Sequence, residues 1–128
     1  MASPAVLDSS AVLAVIFNEP GGDSVIELLR GGLFSTVNLS EIHTKLLLDG
    51  RPAAFAWNRI LSMGFDLCEF NAEQARIAAE LIKLTRPFGL SFGDRACLAL
   101  AIERKATVYT TDRVWKNLSL DIEIEVIR

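Results

Sequence analysis

The sequence is poor in the side chains that hold soft metals or exchange disulfides. It has one histidine and two cysteines in 128 residues. Cys68 and Cys97 stand far apart, with neither a Cys-x-x-Cys nor a Cys/His spacing, so the ligand pattern of a zinc site is missing. Both lie in apolar patterns and are expected as buried, reduced thiols of a cytosolic protein. There is no basic excess. Thirteen Lys and Arg face sixteen Asp and Glu, for a formal net charge of −3, so any attraction for phosphates must be local. Ala11–Phe17, an apolar run, is too short to span a bilayer, and Asp8 stands before it where a signal peptide needs positive charge. No repeat, linker or low-complexity stretch interrupts the chain. These absences leave a cytoplasmic protein made of a single domain, residues 1–128.

What is present is apolar. Hydrophobic residues make up 51% of the chain and the mean hydropathy is +0.33. Either the core is unusually complete or some apolar surface, such as Leu13, Phe17, Leu47, Phe55 and Trp57, serves a partner. Ala5–Leu7 reads as a strand covered on both faces. Asp8 ends it and is placed to cap a helix carrying Val12, Leu13, Ile16 and Phe17, which stops at Asn18–Gly22. Asp23–Arg30 reads as a second helix and Leu33–Val37 as a second strand. Asn38-Leu39-Ser40-Glu41 has the spacing of a capping box before Ile42, Leu46 and Leu47. Helices then follow over Ala53–Leu61, from Asn71 with Ala75, Ala78, Leu81 and Ile82 to an end before Pro87, and from Ser91 through Ala96–Ile102, which is apolar almost all round. Phe65–Phe70, Thr107–Thr111 and Ile122–Ile127 read as the remaining strands.

Ile122–Val126 alternates strictly and Phe65–Glu69 less so, which marks strands with one wet face. With right-handed crossovers this predicts a three-layer α/β/α domain on a mostly parallel five-stranded sheet. The first strand is central, and the third and fifth are at the edges.

Four acids, Asp8, Glu41, Asp94 and Asp112, fall in first turns of expected helices, and two of them end strands. Each alone is explained by capping, which returns roughly 0.3–1 kcal/mol. Together they converge on one sheet edge. Two carboxylates about 4 Å apart repel by roughly 4 kcal/mol at an effective dielectric near 20, so convergence needs a cation. Oxygen donors without His or Cys favour Mg²⁺ or Mn²⁺, whose chemistry includes phosphodiester hydrolysis. Arg95, Arg113 and Lys116, adjacent in sequence to the acids, are either RNA phosphate contacts or solvated surface charges.

The motifs Val6-Leu7-Asp8-Ser9-Ser10, Asn38-Leu39-Ser40-Glu41, Leu90-Ser91-Phe92-Gly93-Asp94-Arg95 and Tyr109-Thr110-Thr111-Asp112-Arg113, in that order, resemble the PIN domain. More narrowly they resemble the VapC-type toxin ribonucleases of toxin–antitoxin pairs. The resemblance covers nearly the whole chain. It implies an endoribonuclease with Asp8, Glu41, Asp94 and Asp112 as catalytic and metal-binding residues. Thr110, and Ser9 or Ser10, would support the site. A cognate antitoxin and a homodimer are implied as partners.

His43 reads as ordinary surface, Lys45 as an ion-pair partner of Glu41 one turn back or, failing that, a cation near the site, and Trp57 and Trp115 as packing residues. A phosphate-receiver domain is excluded by the serines after Asp8 and by Phe70-Asn71 after the third strand. An Asp-x-Asp phosphatase is excluded by Ser10. The remaining rival is a non-catalytic module that binds RNA or protein.

Overall fold

The computed structural model describes residues 3–128. Its strands are β1 (Ala5–Leu7), β2 (Leu33–Ser35), β3 (Asp66–Cys68), β4 (Thr107–Thr110) and β5 (Ile124–Val126). Its α-helices are α1 (Ser9–Ile16), α2 (Ile26–Leu29), α3 (Thr36–Leu48), α4 (Ala53–Leu61), α5 (Ala72–Glu80), α6 (Ile82–Thr85) and α7 (Phe92–Arg104). The sheet order is β3-β2-β1-β4-β5, and every pairing is parallel. The apolar strand is central and the alternating ones lie at the edges, as their patterns require.

Adjacent residues along a strand point to opposite faces, so the inner strands β1, β2 and β4 feed two cores. Val6 and Leu33 pack with Cys97, Leu98, Leu100 and Trp115. Leu7 and Phe34 pack with Val12, Ile42, Leu46 and Ile60. Helices therefore cover both faces of the sheet, which is the three-layer arrangement. From Ala96 to Ala101, α7 is fully buried, which accounts for its lack of a polar face. Cys68 and Cys97 are free and buried. Among the described residues no helix is long and apolar enough to cross a membrane.

Several elements differ from the sequence reading. The second strand ends at Ser35, because the Ser35 hydroxyl accepts the Val37 N–H at 3.1 Å and starts α3 there. Asn38 is thus inside the helix, and Asn38-Leu39-Ser40-Glu41 is not a capping box. The expected Asp23–Arg30 helix divides into a 3₁₀ turn, Gly22–Val25, and α2. The edge strands are three residues each, β3 pairing with Leu33–Ser35 and β5 with Val108–Thr110. Leu47, Phe55 and Trp57 are exposed, whereas Leu13 and Phe17 are half-buried against the core.

Candidate active site

The chain leaves β1 toward β2 and β3, then returns to β4 on the other side of β1. The carboxyl ends of β1 and β4 therefore flank a topological switch point, where open parallel sheets bind ligands. The register pairs Leu7 with Tyr109, so Asp8 and Thr110 are brought side by side just beyond.

Asp8 is 3% exposed. It occupies the N-cap position of α1, but its side chain makes no capping bond, contrary to expectation. Instead Oδ2 accepts from Ser10 Oγ at 2.6 Å and from Thr110 Oγ1 at 2.9 Å. The hydroxyls are themselves held: the Thr111 N–H donates to Ser10 Oγ at 3.0 Å and the Asp112 N–H to Thr110 Oγ1 at 3.1 Å. Burial pushes the Asp8 carboxyl from 3.8 up to about 6. The Ser10 and Thr110 hydroxyls pull against this, and the Asp94 and Glu41 charges add to it.

Glu41, on the second turn of α3, accepts at Oε1 from Ser9 Oγ and from Asn38 Nδ2, both at 2.7 Å. Its carboxylate lies over Gly93, the residue before Asp94. Asp94 closes a true capping box at the start of α7: its Oδ2 accepts from the Ser91 N–H at 2.9 Å, and its own N–H donates to Ser91 Oγ at 3.2 Å. Burial raises its pKa, the Ser91 bonds oppose the rise, and Glu41 and Asp112 add to it. Asp112 caps the 3₁₀ turn Arg113–Asn117 by accepting from the Val114 N–H at 3.0 Å. Capping thus explains the local bonds of Asp94 and Asp112, and those of neither Asp8 nor Glu41.

Four like charges consequently share one rim, joined by hydroxyls and an amide. Among the described residues the ion pairs are Arg51–Asp49, Arg76–Glu73, Arg76–Glu80 and Arg128–Glu19; none involves a rim acid. The expected Lys45–Glu41 pair does not form, since Glu41 Oε1 is already engaged by Ser9 and Asn38. No three His, Cys, Asp or Glu side chains converge as a metal cage among the described residues. The donor set nevertheless suits a hard divalent cation: it is all oxygen, its charges repel one another, and among the described residues no ion pair offsets them. Cys97, fully buried, has its thiol pushed well above 9.0 by burial and then by Asp8, Asp94 and Glu41.

The cations are arranged differently from the sequence reading. Arg95 donates from Nη1 to the Ala78 carbonyl at 2.8 Å and stands 5.7 Å from the Phe92 ring centroid, which commits it to joining α5 and α7. Arg113 donates to the Arg128 carbonyl at 2.9 Å, and Lys116 is exposed. Lys45, whose other expected place was near the site, and Arg128, which the sequence reading missed, line a cleft of about 290 Å³ with Ser10 and Thr111. Lys45 is one helical turn after Glu41, which signals its place on the rim side of α3; nothing in the sequence signals Arg128. His43 is half-buried, not plain surface, with its ring 5.1 Å from that of Trp57 and its Nδ1 unpartnered. Trp115 is fully buried, a packing residue as expected.

A parallel α/β domain with an acidic rim at its switch point is the class that fold and site define. The model of the PIN domain matches residues 5–120, and the chain belongs to that family. No curated protein matches its sequence. Among solved structures it is similar to a toxin–antitoxin complex from Klebsiella pneumoniae, at 14% identity over 97% of this chain and 98% of that one, TM-score 0.74. It is also similar to VapBC2 from Rickettsia felis bound to a promoter DNA fragment, at 18% over 97% and 98%, TM-score 0.72. FitAcB from Neisseria gonorrhoeae gives 19% over 94% and 95%, TM-score 0.68. At these identities the likeness is one of fold.

Proposed function

We propose that this chain is a Mg²⁺- or Mn²⁺-dependent endoribonuclease, the toxin of a toxin–antitoxin pair, using Asp8, Glu41, Asp94 and Asp112. The observation that carries the reading is Asp8. It is a buried carboxylate at the switch point whose hydrogen-bond partners are two neutral hydroxyls and whose charged neighbours are acids. Such a group is costly unless something positive arrives. PIN nucleases generally use divalent metals. A cation held by the rim would activate water and offset charge on the phosphate.

The chain's own residues prepare that step. Ser10 and Thr110 fix the Asp8 rotamer, and Ser9 and Asn38 fix Glu41, so the oxygens are oriented before any ligand binds. The N-terminus of α7 presents Asp94 from its first turn. Lys45 and Arg128 in the adjoining cleft, with Arg113 and Lys116, suit the phosphates of an RNA strand, whereas Arg95 serves the α5–α7 join.

The apolar side chains left exposed on α3 and α4, Leu47, Leu48, Phe55, Trp57 and Leu61, suit an antitoxin, as in the toxin–antitoxin complexes that share the fold, or a second copy of the chain. The competing reading is a module that binds without cutting.

Incubation with total RNA, with Mg²⁺ or with chelator, followed by mapping of the cut ends, separates the two. Metal-dependent cleavage that disappears in Asp8→Asn and Asp94→Asn is expected. Equal RNA retention under both conditions, without new ends, would establish the binding module instead.

A further inference from the structure

Asn38 holds Glu41 in the reading above; its second bond, and the glycine at the other end of that bond, say more. Asn38 is fully buried and lies three residues before Glu41 on α3. Its Nδ2 gives one hydrogen to Glu41 Oε1 at 2.7 Å and the other to the Gly93 carbonyl at 3.0 Å, while its Oδ1 has no partner. A buried amide that leaves its acceptor unmade costs stability an apolar side chain would not. Both its donors are spent on joining the Glu41 carboxylate to the first turn of α7.

Gly93 completes the join from the other side. Its backbone is ordinary helix, where alanine is the better helix former, so conformation does not call for glycine. Space does. A Cβ built there would fall on the Glu41 carboxylate, which supplies all three nearest atoms. Gly93 thus leaves room for Glu41 to lie against the helix start that carries Asp94, and Asn38 holds it in that room.

We infer that Asn38 and Gly93 are positioning residues, a clamp between α3 and α7 that sets the Glu41 carboxylate beside Asp94 for binding of a divalent cation. The inference rests on the proposed function. It assigns to these two residues the spacing between carboxylates from different helices. The clamp acts through Glu41 alone, so its effect vanishes when Glu41 is removed.

The test is calorimetric titration of the full chain with Mn²⁺, together with the Mn²⁺-induced rise in melting temperature. Gly93→Ala is expected to fold like the parent by circular dichroism and to bind Mn²⁺ at least tenfold more weakly; Asn38→Leu should lose affinity in the same direction. In a Glu41→Ala background, Gly93→Ala should weaken binding no further. RNA cleavage by Gly93→Ala should recover as Mn²⁺ is raised, because the defect lies in holding the ion. Parental affinity in Gly93→Ala, or an equal loss with and without Glu41, would overturn the clamp. If Asn38→Leu fails to fold, Gly93→Ala decides the matter. If the parent itself takes up no Mn²⁺, the site reading falls and the clamp with it; if the parent and both variants bind alike, only the clamp falls.

Discussion

The outer face of α5 and the rim above β1 and β4 both gather acids, and they treat them in opposite ways. On α5, Arg76 pairs with Glu73 one turn before it and Glu80 one turn after it, and that arginine holds the Glu73 carboxyl below its usual range. On the rim, Asp8 is bonded to hydroxyls and faces other acids, and its carboxyl is raised to about 6. The α5 arrangement is complete within the chain. The rim has no such cation paired with its acids among the described residues, and that difference, more than the count of acids, supports the proposal that it is the functional edge.

The largest effect should come from breaking the rim chemically. Asp8→Asn and Asp94→Asn each remove one charge and little volume, and should lower RNA cleavage by about 10³-fold or more, roughly 4 kcal/mol of barrier, measured as initial rates at saturating Mg²⁺. Glu73→Gln, the same exchange on α5, should leave the rate unchanged. A Glu73→Gln loss equal to that of Asp8→Asn would show that the two regions do not differ in kind.

The second effect is on stability without metal. A carboxyl with its folded pKa raised binds its proton more tightly folded than unfolded, so its contribution is worst when it is ionised. For Asp8 the cost is absent below about 3.8, grows as pH rises through about 6, and is complete above that. The full span corresponds to about 3 kcal/mol, and the raised Asp94 acts in the same direction. Melting in chelator should therefore show a protein more stable at pH 5 than at pH 8. Asp8→Asn should flatten that profile and gain stability at pH 8. Glu73, with its pKa lowered, contributes in the opposite sense and loses its contribution only as pH falls below the carboxylate range, outside this window. A profile that rises from pH 5 to 8 in the parent would remove the electrostatic argument for the rim.

Much of this was legible in the residues themselves. A strand covered on both faces has no room for polar alternation, so Ala5–Leu7 announced its central place and Ile122–Val126 its place at an edge. Asp8, Asp94 and Asp112 keep their expected places at element ends, whereas Glu41 lies on the second turn of α3. What misled was a spacing with two meanings. Three residues from Asn38 to Glu41 is the reach of a capping box and also of an i, i+3 contact within a helix, and Ser35 had already begun that helix. Adjacency misled in the same way: Arg95 follows Asp94 in sequence, but one step along a helix turns the side chain by about a quarter of a circle, and Arg95 reaches Ala78 on α5. Lys45 and Arg128, distant in sequence, share the cleft because α1 and β4 bring their Ser10 and Thr111 neighbours together.

Adding the missing charge should sharpen the contrast. If the rim holds Mg²⁺ or Mn²⁺ as proposed and the unfolded chain does not, then the cation at about a hundred times its dissociation constant should raise stability by about 2.7 kcal/mol. The gain should be larger at pH 8 than at pH 5, because the cation competes with the protons Asp8 and Asp94 hold. Asp8→Asn should lose most of the gain, which distinguishes the rim from general screening by salt. Arg76→Ala gives the smallest expected effect. It breaks two exposed pairs at once, yet exposed pairs contribute little and less still as salt is added, so the melting temperature should stay within error of the parent and the Mg²⁺ response should be unaltered. Were Arg76→Ala to weaken that response as Asp8→Asn does, the acids of α5 would be part of the same electrostatic unit, and the functional edge could no longer be assigned to the carboxyl ends of β1 and β4 alone.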